Sequence, residues 1–316
     1  MTPEDEPQAE QVEQAEPLPQ PQAGQPEPTE PVPPPVKPER IWPVWVAYAV
    51  ALAGSVAMGI GVFAIWFAGE LASGTTIAPA EVSARYQGFI FTTVGMSLAV
   101  VFPALVFLTT ALVAAKLDGS PIRERLSLGW GRAQAPQALG AVAALLGTSI
   151  ALGALVELLQ FGQSSTLRGF ASAAANASPT GLILFTLLVT LAGAIEEVFF
   201  RGLMQRPLVR RWGRWGGILA TAAAFALMHM DLAHGFVAFF MGVLLGWLAE
   251  RAEGIAPAMV AHAFNNAFAA LSVPVFVALG DVDPINQLAF GLAAALAAIV
   301  SLRRSFASGV PALAAE

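Results

Sequence analysis

The sequence predicts an all-α polytopic membrane protein, a bundle of about eight transmembrane helices behind a disordered N-terminal tail. Three observations predict it. Hydrophobic residues make up 56% of the chain against 12% charged, with a mean hydropathy of +0.65, which is too apolar for a soluble domain of 316 residues. From Trp42 onward, apolar runs long enough to cross about 30 Å of hydrocarbon alternate with short charged loops. Lys and Arg then collect on one side of those runs, as they do in cytoplasmic loops.

Residues 1–40 hold twelve of the 23 prolines, nine acids and two bases, and almost no large apolar side chains. Such a segment cannot bury enough surface to offset the entropy of ordering it, so a disordered cytoplasmic tail is expected, with Pro33-Pro34-Pro35 a solvated spacer. The tail also accounts for the net charge of −6, because the remainder carries thirteen acids and fourteen bases. No basic stretch leads into a short apolar run and a small-residue cleavage site, so no cleaved signal peptide is expected and the first apolar helix serves as the insertion signal. The absence of cysteine rules out disulfides, thiolate metal sites and a cysteine nucleophile.

The first span is expected over 43–68, following Lys37 and Arg40. A second, 88–115, lies between Arg85 and Lys116, and a third, 136–160, follows Arg123, Arg125 and Arg132. The fourth, 179–205, comes after Arg168 and runs into Arg206, Arg210, Arg211 and Arg214. The fifth and sixth, 216–230 and 235–250, are about 22 Å of helix each, short for a full crossing. Their shared tip, 230–234, is therefore expected to stop within the protein. The seventh and eighth, 255–275 and 287–302, are bounded by Arg251 and by Arg303 and Arg304. Only Arg85 and Arg168 fall on the opposite side, which puts both termini of a multi-pass cell-membrane protein in the cytoplasm.

Three polar clusters interrupt the apolar stretches of the second half: Glu196-Glu197-Val198-Phe199-Phe200-Arg201, Phe225-Ala226-Leu227-Met228-His229 and His262-Ala263-Phe264-Asn265-Asn266. Each ionisable group at such depth costs on the order of 2.5–3.5 kcal/mol, so its presence calls for a purpose. Glu197 and Arg201 are i and i+4 and pair on one helix face, whereas Glu196 points about 100° away. A desolvated carboxylate beside a like charge is suited to taking a proton from water near neutral pH. The bland alternative is a buried charge cluster that fixes helix packing.

His262 and Asn266 are also i and i+4, and a ring nitrogen and an amide on one face can donate to a developing oxyanion. Asn265 points elsewhere and reads as an interhelical hydrogen-bond residue. His234, in the tip, reads as solvated or structural. Glu196, His229 and His262 could alternatively hold a divalent metal, zinc being the expected ion, with water in the fourth position. No local spacing fixes that set, since its members come from three helices. Glu196 and His262 are expected nearer the cytoplasmic side than His229, which leaves the site strained if every helix runs straight.

Other polar chemistry finds less support. No inverted repeat or matched pair of broken helices favours a transporter, and no glycine-rich phosphate loop is present. Gly242-Val243-Leu244-Leu245-Gly246 reads as a close-packing face between helices. The arginines at 206–214 follow from topology and face anionic lipid, so no nucleic-acid partner is expected.

The ordered set Glu-Glu-x-x-x-Arg, Phe-x-x-x-His and His-x-x-x-Asn on successive apolar helices resembles the CAAX-processing and bacteriocin-processing intramembrane endopeptidases, the CPBP or Abi family, which includes the type II CAAX prenyl endopeptidases. The resemblance covers about residues 180–270, within helices 179–305 that would be catalytic, while helices 41–178 show nothing diagnostic. It implies an endopeptidase in which Glu196 activates water and His229 helps to hold it. His262 and Asn266 would stabilise the oxyanion, and Glu197 and Arg201 would support the site. It further implies a membrane-embedded or lipidated peptide or protein as substrate. Members have been described both as metalloproteases and as glutamate-dependent proteases, and similar proteins are linked to bacteriocin self-immunity.

Overall fold

A computed structural model describes residues 40–161, 165–280 and 282–308. The proline-rich stretch expected to be disordered lies, apart from Arg40, outside the described residues. Every regular element among the described residues is helical. In chain order they are α1 (Trp42–Ala72), a 3₁₀ turn (Pro79–Glu81), α2 (Val82–Ile90), α3 (Thr93–Leu117), α4 (Ile122–Arg125) and α5 (Ala135–Leu158). After these come α6 (Thr166–Ala175), α7 (Pro179–Glu197), a π-helical segment (Val198–Gln205), α8 (Arg206–Leu227), α9 (Leu232–Ala252), α10 (Ala256–Leu279) and α11 (Pro284–Ala307).

Local chemistry sets several of these boundaries. Ser178 caps α7 by accepting from the Gly181 N–H at 3.1 Å, with Pro179 in the first position, where its missing N–H costs nothing. Thr92, Asp231 and Asp283 cap α3, α9 and α11 in the same way. The α10 helix closes on Gly280 at φ 84°.

Seven stretches are long and apolar enough to cross a membrane. About eight were expected, and the difference in number lies in one place. The expected fourth and fifth spans are joined into one helical stretch of 49 residues, Pro179–Leu227, made of α7, the π segment and α8. The sixth, expected to be short, is α9, 21 residues long and itself a candidate span. Outward faces carry exposed Leu, Ile, Val and Phe side chains, such as Ile183, Leu187, Leu191 and Leu296, which suits a surface solvated by acyl chains. This is a membrane-embedded, multi-span protein.

Inside, helices approach through small residues. On α5 and α11, a Cβ placed on Gly147 would lie 2.6 Å from the Ala295 nitrogen, and one on Gly291 would lie 2.5 Å from the Ala151 nitrogen, so the two backbones touch. Dispersion between close backbones replaces the hydrophobic drive that lipid removes. Aromatic rings hold α1 and α3 to the π segment. Phe107 meets Phe199 edge-on at 4.8 Å and Phe200 at 5.3 Å, while the Tyr48 hydroxyl donates to the Ala224 carbonyl at 2.8 Å.

Candidate active site

The 49-residue stretch is a hairpin rather than a rod. At Gly213 the backbone takes φ 76° and ψ 168°, a region that essentially only glycine occupies, and the helix folds back on itself. Residues equally far before and after the turn then face each other. A Cβ on Gly217 would stand 2.4 Å from the Val209 nitrogen, and the Arg201 guanidinium lies 4.8 Å from the centre of the Phe225 ring. By the same count His229 follows Gly213 by as many residues as Glu197 precedes it. The fold-back therefore returns His229 toward the carboxylates, where it shares the Phe225 ring with His262, and the strain expected of straight helices does not arise.

Glu197 closes α7 and is fully buried. Its Oε1 accepts from Arg201 Nη1 at 2.9 Å, the i, i+4 pair foreseen on this helix, and it also lies 2.9 Å from His262 Nδ1 on α10. Arg201, 1% exposed, uses its other terminal nitrogen to donate to the Gly242 carbonyl of α9 at 2.9 Å. One turn further, Gln205 Nε2 donates to the Gly246 carbonyl and to Glu250 Oε1, each at 2.9 Å. Gly242 and Gly246 thus do more than pack helices. A Cβ on Gly246 would lie 2.6 Å from Gln205 Oε1, so the missing side chains open the α9 backbone to Arg201 and Gln205.

Glu196 points away from this pair and keeps some exposure. Its Oε2 stands 3.8 Å from His262 Nε2, so the imidazole sits between two carboxylates, hydrogen-bonded to one and near the other. Gly193 makes room for this. A Cβ there would lie 2.7 Å from Asn266 Nδ2 and 3.1 Å from His262 Cδ2. Asn266 donates to the Val189 carbonyl at 3.1 Å, which occupies one of its two amide hydrogens. Asn265 makes no interhelical hydrogen bond among the described residues. Its Nδ2 lies 3.5 Å from Asn266 Oδ1 instead, so it braces its neighbour.

His229, in the turn after α8, lies 2.8 Å through Nδ1 from the Phe225 carbonyl. It joins the other groups through the Phe225 ring, which meets His229 edge-on at 5.1 Å and His262 edge-on at 5.7 Å. Glu196, Glu197, Arg201, His262 and Asn266 are therefore gathered directly, and His229 shares the Phe225 ring with His262.

Residues 178–268 match the family model described as type II CAAX prenyl endopeptidase Rce1-like. The chain carries an Rce1-like domain. The family so described is one of CAAX-type endopeptidases, and the match covers less than half of the chain. Neither a curated protein nor a solved structure matches the chain significantly.

All six candidate residues fall inside the Rce1-like domain. Among the described residues no group of three or more His, Asp or Glu side chains is placed to hold one metal ion. The alternative ligand set of Glu196, His229 and His262 is therefore not assembled as the side chains stand. These residues as they stand do not fit a three-ligand ion.

Sequence reasoning missed several residues that the structure places against the candidates. Phe225 was legible only as a motif letter, yet Arg201, His229 and His262 all rest against it. Gln205, at i+4 from Arg201, and the matching i+4 spacing of Gly242 and Gly246 were a readable signal that two side chains dock on two backbone carbonyls. His234, read as solvated or structural, is structural, with Nδ1 2.9 Å from Thr166 Oγ1. Its ring centre is 4.0 Å from that of His229.

Proposed function

We propose that the protein hydrolyses a peptide bond of a membrane-associated or lipidated protein, with Glu196 as the general base. The observation that carries this reading is the unequal pair of carboxylates around His262. Glu197 is spent on Arg201 and the His262 Nδ1, while Glu196 has no hydrogen-bond partner among the described residues and stands 3.8 Å from the remaining ring nitrogen. Two atoms at that separation can both hydrogen-bond one water molecule at ordinary lengths of about 2.8 Å.

Glu196 takes a proton from that water as its oxygen attacks the scissile carbonyl carbon. The electron pair of the C=O bond moves to the carbonyl oxygen. The oxyanion is met by His262, protonated at both nitrogens and held at Nδ1 by Glu197, and by the second amide hydrogen of Asn266. Glu196 then returns its proton to the leaving nitrogen as the oxyanion electron pair re-forms the C=O bond and the C–N bond breaks. His229, donating from Nδ1 to the Phe225 carbonyl, presents Nε2 as an acceptor for the other water proton. No step passes through a metal. The Arg-rich ends of the helices face the cytoplasm on the distribution of Lys and Arg, so substrate reaches the site from that side.

A packing lock is the competing reading, favoured by the full burial of Glu197 and Arg201. It accounts for those two residues but leaves Glu196 unexplained. Comparing the membrane peptides of cells expressing the parent with those expressing Glu196→Gln tests the proposal. New C-termini confined to the parent support it, and identical peptide sets contradict it.

A further inference from the structure

The tip of the α8–α9 hairpin is tied to α6 through polar contacts that the proposed chemistry does not use. Asp231 accepts from two backbone N–H groups, that of Thr166 at 2.7 Å and that of His234 at 2.8 Å, and so caps both α6 and α9. The His234 side chain adds a separate link, its Nδ1 lying 2.9 Å from Thr166 Oγ1. Its ring then packs on His229, centre to centre at 4.0 Å and tilted by 56°. That approach is too close for an in-plane hydrogen bond between two imidazoles and is instead a tilted ring-on-ring contact. His229 has one hydrogen bond of its own, through Nδ1 to the Phe225 carbonyl, and a ring held by a single bond can still turn about it.

We propose that His234, pinned by Thr166, is a positioning residue that fixes the plane of the His229 imidazole between itself and Phe225. The inference rests on the role given to His229 above. The backbone caps belong to Asp231, so removing the His234 ring leaves the turn and both helix starts intact. What is lost is the wall against which His229 lies, and misplacement of a water-holding group by about 1 Å costs roughly 10²-fold in rate.

The test uses the full chain in detergent with a membrane-tethered peptide that the parent cleaves. His234→Ala is expected to lower kcat about 10- to 100-fold with KM within about twofold and an unchanged melting temperature. His234→Phe, which restores a ring, is expected to recover at least part of that loss. The double variant His229→Ala/His234→Ala should be no slower than His229→Ala alone, since His234 acts through His229. Parental kcat in His234→Ala, or penalties that multiply in the double variant, would overturn the proposal. If His234→Ala melts early, Thr166→Val keeps the ring and the caps, and should lower kcat in the same direction; parental kcat there would overturn the pinning.

An independent readout is available because the chain has three histidines. Imidazole nitrogen resonances, assigned by single substitution, should show the His229 signals displaced in His234→Ala. Unmoved signals would also overturn the proposal. Full activity in His229→Ala would instead fail the proposed role of His229, and the spectrum would still decide whether His234 holds that ring.

Discussion

Glu196 and Glu197 are neighbours in the chain with opposite surroundings, and substitution should separate them. Glu197→Gln leaves the buried Arg201 guanidinium without its carboxylate, and breaking a buried pair in this way costs about 3–5 kcal/mol. A large fall in melting temperature and in yield of folded protein is expected, whereas Glu196→Gln should melt like the parent. Asn266→Ala removes one donor to the oxyanion and should cost roughly 10²–10³ in kcat with binding little changed. Cleavage should also survive prolonged chelation, because the side chains do not assemble a three-ligand site. Activity lost to chelator and restored by zinc would show that His229 moves to join Glu196 and His262. The Glu197–Arg201 pair was legible from i, i+4 spacing alone. The bond from Glu197 to His262 was not, because it joins residues on different helices and no spacing rule reaches across them.

At the scale of elements, the hairpin at Gly213 decides which residues meet. Gly213→Ala forces a Cβ into a backbone region reserved for glycine, at a cost of about 1–3 kcal/mol, and should shift one limb against the other. Calorimetry of the purified variant should show the lost stability, and cleavage should fall because Phe225 no longer lies opposite Arg201. An unchanged melting profile with parental activity would mean that the turn does not set the register. The sequence marked the two limbs as separate helices, but it read the helix after them as too short to cross, whereas α9 runs 21 residues and Met230 and Leu232 at the tip are 68% and 77% exposed. It did not reveal that Phe225 would meet Arg201 across the turn, since that depends on the sharpness of one backbone turn. The short helices α2, α4 and α6 also went unread, because none is long enough to give a hydrophobic span. Yet α6 is what anchors the tip through Thr166.

For the whole molecule, fold class was legible because hydropathy over long windows reports directly on the solvent around a helix. Seven candidate spans and a folded-back hairpin replace a simple count of eight, and the arginine-rich ends carry the expectation that both termini are cytoplasmic. The absence of cysteine makes that orientation measurable without first removing native thiols. Single cysteines at Ser120 and Ser308 should resist an impermeant maleimide in intact cells, and one at Ser83, between the first two candidate spans, should react. The reverse pattern would turn the bundle over and move the substrate to the other face.

The most direct test of the catalytic reading is hydrolysis of a membrane-tethered peptide by purified Glu196→Gln beside the parent, with melting followed on the same samples. The expected result is a variant that melts like the parent and cleaves nothing. Cleavage at the parental rate by a well-folded Glu196→Gln protein would contradict Glu196 as the group that activates water.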